Sequence, residues 1–173
     1  MTDTTDLASP ATAARRERMI AAVRRYFAAC NAADPNIFAE VLTEGCVHYF
    51  PPRTGGPYLG RDAIVELWRN CVRDLGSVWS IDRLVCDGQQ LVVEWTHFKP
   101  IPGEYIRGSE WYEFDDEQRI TAIWAHYASP RDTALKHNEL EGYPYVQGGY
   151  PTEAPTLSAA EVASRKQYAA AGS

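Results

Sequence analysis

Apolar residues recur with a helical period through the first part of the chain and with a strand period through the middle. Met19, Val23, Tyr26 or Phe27, and Cys30 follow at three- and four-residue spacing behind Ser9-Pro10, which reads as an N-cap with proline in the first turn. This predicts a helix to about Asn31. Asp34-Pro35 repeats the signal, Ile37, Phe38, Val41 and Leu42 form an apolar stripe, and Gly45 is expected to close a short second helix. The period then drops to two over 46–50, a short strand, before the glycine- and proline-rich loop PPRTGGPYLG. Ile64, Leu67, Trp68, Cys71, Val72 and Leu75 lie on one face of a third helix from Arg61 to Leu75, stopped by Gly76.

Four strand-like runs follow, near 77–87, 89–99, 104–115 and 119–129, separated by Asp87-Gly88, by Pro100-Ile101-Pro102-Gly103 and by an acidic turn at Asp115-Asp116-Glu117-Gln118. Short turns between consecutive strands imply an antiparallel meander. The expected class is α+β, with the helices covering one face of a long curved sheet. The expected division is a flexible start over 1–14, a domain over 15–130 and a C-terminal extension over 131–173. In that extension the tyrosine- and glycine-rich stretch HNELEGYPYVQGGYP is too aromatic for an ordinary tail. Leu157, Ser158, Glu161 and Val162 there fit a hydrophobic staple around a capping box, hence a short helix.

Composition narrows the partners. At 173 residues, 45% hydrophobic and 23% charged, the chain is globular, and no apolar run approaches the roughly 18 residues of a membrane span. The net charge is -6 and the arginines are scattered, so neither nucleic acid nor a membrane is an expected partner. The polar start MTDTTDLASP lacks a signal peptide's basic and apolar regions, so a cytoplasmic location is expected. Cys30, Cys46, Cys71 and Cys86 are too far apart for a zinc cluster or a redox pair. Five Trp and ten Tyr offer apolar walls with polar tips, the usual lining of a small-molecule pocket.

The order helix, helix, strand, helix and four strands, together with RRYFAACNAADPNIFAEVLTEGCVHYFPP, GRDAIVELW and WYEFDDEQRITAIWAHY, resembles the nuclear-transport-factor-2-like superfamily, SnoaL-like branch. That superfamily includes SnoaL polyketide cyclases, ketosteroid isomerases, scytalone dehydratases and limonene epoxide hydrolases. The resemblance covers about residues 15–130. It implies a cone-shaped barrel, in which three N-terminal helices pack on a curved, mostly antiparallel sheet around one pocket. A homodimer and a small-molecule substrate are implied as well, with no cofactor and no metal. It does not fix the reaction.

The site residues follow from the resemblance one by one. Tyr26 matches the oxyanion-hole tyrosine of ketosteroid isomerases and Glu110 their second, protonated acid, an acid that the handling of charge in an apolar site keeps neutral. As a plain residue, Glu110 could instead pair with Arg107 or Arg119 on the surface. Where those isomerases have their basic aspartate this chain has Tyr49, which resembles a dehydratase tyrosine. Strand alternation then turns His48 away from the site. His97 and His126 stand where related enzymes carry acids, and Trp95 where limonene epoxide hydrolases carry arginine. Histidine titrates near neutrality and suits proton transfer. Trp95, Trp111, Trp124, Tyr112 and Asn31 are the expected substrate contacts. Two histidines with Glu110 would also make a metal-binding set, although the family mostly works without metal.

The function expected from these residues is acid–base chemistry on a ring-bearing or polyketide-like carbonyl compound, a lyase of dehydratase type or an isomerase or cyclase. His126 or His97 would move the proton, and Tyr26, Tyr49 and Glu110 would stabilise an enolate. The alternatives are an epoxide hydrolase, which would need an acid pair and an arginine, and a non-catalytic ligand carrier or dimeric adaptor.

Overall fold

The computed structural model describes residues 9–127, 141–144, 146, 147 and 156. The chain divides into two units, Met1–Tyr143 and Pro144–Ser173. The fold below belongs to the first; the second lies almost wholly outside the described residues. So do the helix expected near Leu157, and His137, Tyr145 and Tyr150.

Helix α1 (Pro10–Ala32) starts as its sequence predicts, the Ser9 hydroxyl accepting from the Thr12 amide at 3.2 Å, and it buries Met19, Val23, Tyr26, Phe27 and Cys30. Helix α2 (Pro35–Val41) is capped by Asp34, whose carboxylate accepts from the Asn36 amide at 2.9 Å. It ends earlier than expected. Leu42 is already extended, and strand β1 (Leu42–Tyr49) begins there, with Gly45 inside the strand rather than closing a helix. The loop expected over 51–60 contains a two-residue strand, β2 (Tyr58–Leu59), which pairs antiparallel with β1. Helix α3 (Arg61–Leu75) has the predicted bounds. Gly76 ends it at φ 65°, a left-handed conformation that glycine adopts without a Cβ clash, and donates to the Val72 carbonyl at 3.0 Å.

Strands β3 (Val78–Cys86), β4 (Leu91–Lys99), β5 (Glu104–Phe114) and β6 (Ile120–Tyr127) form the predicted meander. The six strands lie in the order β2-β1-β6-β5-β4-β3, antiparallel except where β1 meets β6. The three helices pack on this curved sheet, which stays open, with β2 and β3 at its edges. The parallel ladder of β1 and β6 is irregular between Leu42 and Val47, but the even-numbered phase holds along β1: Leu42, Cys46, His48 and Phe50 turn inward. By contrast the β4–β5 ladder runs without interruption from Leu91↔Tyr112 to Lys99↔Glu104. Its inner row is therefore Leu91, Val93, Trp95 and His97 facing Tyr112, Glu110, Gly108 and Ile106.

Asn31, expected to contact substrate, instead holds the edge strand. Its amide nitrogen donates to the Trp79 carbonyl at 3.0 Å, and the Trp79 amide donates to its oxygen at 2.7 Å. Two backbone groups that an edge strand would leave unpaired are thereby satisfied by α1.

Candidate active site

Between α3 and the inner face of the sheet lies a cavity of about 290 Å³. Phe50, Trp68, Trp79, Trp95, Ile106 and Tyr127 are among its apolar walls, and Glu110, His97 and Lys99 bring ionisable groups to it. Among the described residues, Glu110 is the one carboxylate on this lining.

Glu110 is 5% exposed, and an ionised carboxylate so deep is stable only with donors around it. Two groups take that part. The Tyr112 hydroxyl donates to Oε2 at 2.5 Å, and His48 Nε2 stands 3.5 Å from Oε1. The second separation is within ion-pair range but lacks hydrogen-bond geometry, since His48 Nε2 has no hydrogen-bond partner among the described residues. It is a close polar contact.

The proton positions follow from the groups behind His48. The Trp68 indole only donates, and it donates to the Tyr26 hydroxyl oxygen at 2.9 Å. The Tyr26 hydrogen is then available to His48 Nδ1, 3.3 Å away, and in that arrangement the ring carries its hydrogen on Nε2, facing Glu110. Burial raises the Tyr26 pKa well above the ordinary phenol value, helped by the nearby Cys30, Glu110 and Tyr112, whose negative forms would repel a phenolate. Burial also raises that of Tyr112, with the charge of Glu110 and its hydrogen bond adding to the shift. Both phenols stay protonated. Trp68, Tyr26 and His48 thus form a series that ends 3.5 Å from the carboxylate, to which Tyr112 donates directly. Phe50 stacks on His48 with centroids 4.1 Å apart, which fixes the ring plane.

His97 lies on the same inner face, nearer the end of β4. Its ring stacks on Trp79 at 4.2 Å and 19°, and its Nε2 is 2.8 Å from Ser77 Oγ. Burial, with a smaller contribution from Lys99, lowers its pKa to about 4, so the imidazole is neutral at physiological pH. Trp95 crosses the strand beside it and lies over Gly108. A Cβ at 108 would come within 2.6 Å of Trp95 Cζ2 and 2.5 Å of the His126 carbonyl oxygen, so only glycine seats this indole. The Trp95 N–H is buried without an acceptor among the described residues.

Of the residues expected at the site, Glu110, Trp95 and His97 line the cavity, while Tyr112, from the same inner face, and Tyr26, from α1, lie behind Glu110. The structure does not bring the others to them. On β6 the inward residues are Ile123, Ala125 and Tyr127, so His126 is exposed on the outer face, where it lines a separate surface hollow of about 460 Å³ with Arg83 and Glu94. His126 therefore cannot join His97 and Glu110 in a metal-binding set. Tyr49 is likewise outward: it meets Tyr143 edge-on at 5.1 Å and is the register partner of Trp124. Trp124 pairs with Trp111, which is 42% exposed, so these three rings form an outer row and do not line this cavity. The residues missed from the sequence are His48, Trp68, Trp79 and Lys99. His48 carried a readable signal, because a histidine between Tyr49 and Cys46-Val47 in an apolar strand needs polar partners if buried.

Similarity to known proteins agrees with this architecture. A sequence model of the SnoaL-like domain matches residues 23–123. A structure from Methylobium petroleophilum PM1, described as a protein of unknown function with a cystatin-like fold, shares 37% identity over 83% of this chain and 97% of its own, with a TM-score of 0.79. The chain belongs to the SnoaL-like family. Two more distant structures share the fold of this SnoaL-like domain. A candidate ketosteroid isomerase from Kribbella flavida is 18% identical over 82% of this chain and 93% of its own, with a TM-score of 0.58. A candidate polyketide cyclase from Sinorhizobium meliloti is 20% identical over 61% of this chain and 93% of its own, with a TM-score of 0.53. Comparison with curated proteins gives no significant match. Among the described residues of this SnoaL-like domain no helix is long and apolar enough to cross a membrane.

Proposed function

We propose that this SnoaL-like protein is a cofactor-independent enzyme that moves a proton on a small ring-bearing carbonyl compound, with Glu110 as the proton acceptor. The observation that carries this reading is a single buried carboxylate on an aromatic cavity, held by the Tyr112 hydroxyl and faced by His48. Glu110 takes a proton from the carbon beside the carbonyl, and the electron pair moves into the enolate. Returned at another carbon, that proton gives isomerisation; loss of a β-substituent from the enolate gives elimination. The role first given to His126 passes to Glu110, since His126 is outside the cavity. Neutral His97 offers a polar contact to the substrate without adding a charge. An epoxide hydrolase finds less support, because among the described residues an acid pair and an arginine are not on this lining.

The test is exchange of α-protons for deuterium, followed by NMR, with 1-indanone, 2-tetralone and a cyclic β,γ-enone as probes. The wild type is expected to accelerate exchange of at least one probe, and Glu110→Gln to slow it by about 10²–10⁴-fold, the usual worth of a positioned base. The glutamine amide oxygen still accepts from Tyr112, so the fold should hold. Equal exchange rates in the two proteins would overturn the assignment.

A further inference from the structure

Lys99 closes the inner row of β4, two residues beyond His97, and lines the cavity at the end away from Glu110. A lysine there could be serving the fold in either of two ways, and neither accounts for it. It could hold the carbonyls at the end of α3. Those of Cys71, Val72 and Leu75, however, already accept from the amides of Ser77, Gly76 and Ile101 at 3.3, 3.0 and 3.1 Å. It could be half of an ion pair, but its partner Glu104 is 4.0 Å away and 64% exposed, a contact of little worth in water. The lysine side chain itself is only 20% exposed, and among the described residues its ammonium has no hydrogen-bond acceptor.

The charges around it are few. His97 on its own strand is neutral, Cys71 of α3 is a thiol whose pKa burial raises and Lys99 itself lowers, Asp74 lies further along α3, and Glu104 is on β5. Lys99 lines the cavity together with His97 and Cys71, and its side chain is mostly buried, which places its charge toward the cavity. Glu110 is level with Val93, and Lys99 is three strand pleats away, roughly 20 Å of backbone that inward-reaching side chains shorten. Between them lie Trp95 and the Trp79–His97 stack.

We infer that the pocket takes an elongated planar carboxylate: the acid group rests on the Lys99 ammonium, an aromatic ring lies along Trp95 and Trp79, and the carbonyl end reaches Glu110. This rests on the reading of the cavity as the substrate site and adds the substrate's charge and length. Lys99 is then the residue that sets specificity, by Coulomb attraction in a partly desolvated mouth.

The probes are 3-(4-acetylphenyl)propanoate and its primary amide, titrated calorimetrically into the full-length protein at low and high salt. The wild type is expected to bind the acid about tenfold more tightly than the amide at low salt, with the ratio falling as salt rises. Lys99→Met keeps the apolar stem and should bring the ratio to one, while Lys99→Arg should restore it. Glu110→Gln should keep the preference. Equal affinity for acid and amide in the wild type, failure to bind either, or a preference that survives in Lys99→Met would overturn the inference. The two readings fail separately. A Lys99-dependent preference with no Glu110-dependent exchange would remove the proposed chemistry and leave the ligand class; the reverse would do the opposite.

Discussion

The lowered basicity of His97 makes stability depend on pH in a direction opposite to that of a salt-bridged histidine. In the folded protein its pKa is about 4, because the ring is sandwiched against Trp79 and buried, with Lys99 adding repulsion. In the unfolded chain it returns to about 6.5. Below pH 6.5 the unfolded state therefore binds a proton that the folded state refuses, and stability falls as pH falls, until the folded protein also accepts the proton near pH 4. The slope in this window approaches 1.4 kcal/mol per pH unit, and two and a half units give a loss of about 3 kcal/mol. At 6% exposure the residue is deep enough that no large solvent discount applies. Urea unfolding of the wild type and of His97→Gln at intervals from pH 7.5 to 4 isolates this contribution. Carboxylates whose pKa is lowered, such as Asp82 and Asp115, titrate alike in both proteins. The expected result is that the stability difference between the two proteins shifts by about 3 kcal/mol in favour of the variant across the range. Parallel curves, agreeing within about 0.5 kcal/mol, would mean that the folded imidazole takes up its proton normally, and the argument from burial would fail.

Two further substitutions test the frame of the site. Gly108→Ala should lower stability by about 1–3 kcal/mol in urea unfolding, since the new methyl meets the Trp95 ring and the His126 carbonyl, neither of which moves freely. Asn31→Ala should cost about 1–2 kcal/mol by removing both bonds to the Trp79 backbone, and should speed hydrogen exchange at the Trp79 amide. Asn31→Asp should protect that amide, because it keeps the acceptor.

The elements were legible where short-range chemistry decides them. Ser9-Pro10, Asp34-Pro35 and Gly76 mark helix ends through hydrogen bonds and dihedral angles that a few neighbouring residues determine. The same holds for the turns between strands. The end of α2 was not legible, because Leu42 suits a helix stripe as well as a strand. What made it a strand is pairing with Ile120, far along the chain, and the Thr43 hydroxyl donating to the Ile120 carbonyl at 3.3 Å. The site shows the same division. His97, Glu110 and Trp95 lie on an uninterrupted ladder, so counting by twos put them on one face. His126 failed that count because the β5–β6 register shifts between Glu113 and Phe114: Ile120 is buried, but beyond the shift Ile123 and Ala125 take the inner face and His126 the outer.

The choice between His48 and Tyr49 shows what decided the site where hydrophobicity could not. Either phase of β1 buries reasonable residues: Cys46, His48 and Phe50 in one, Val47 and Tyr49 in the other. Apolar area alone favours neither phase strongly. The deciding term is polar. Helix α1 commits Tyr26 to the interior through its apolar stripe, and the Trp68 indole commits a donor to its oxygen, so the Tyr26 hydrogen needs a buried acceptor. An imidazole supplies that acceptor at Nδ1 and passes a donor on toward Glu110; a second phenol at this position could accept, but would have to give its hydrogen elsewhere and could not sit in the stack on Phe50 with the same short side chain. An unpaired hydroxyl and an unfaced carboxylate would each cost on the order of 1–3 kcal/mol or more, as much as burying a large apolar side chain gains. On this argument β1 is phased by its donors and acceptors, and the residue that faces the buried carboxylate from β1 is the one that alternation from Tyr49 had turned outward.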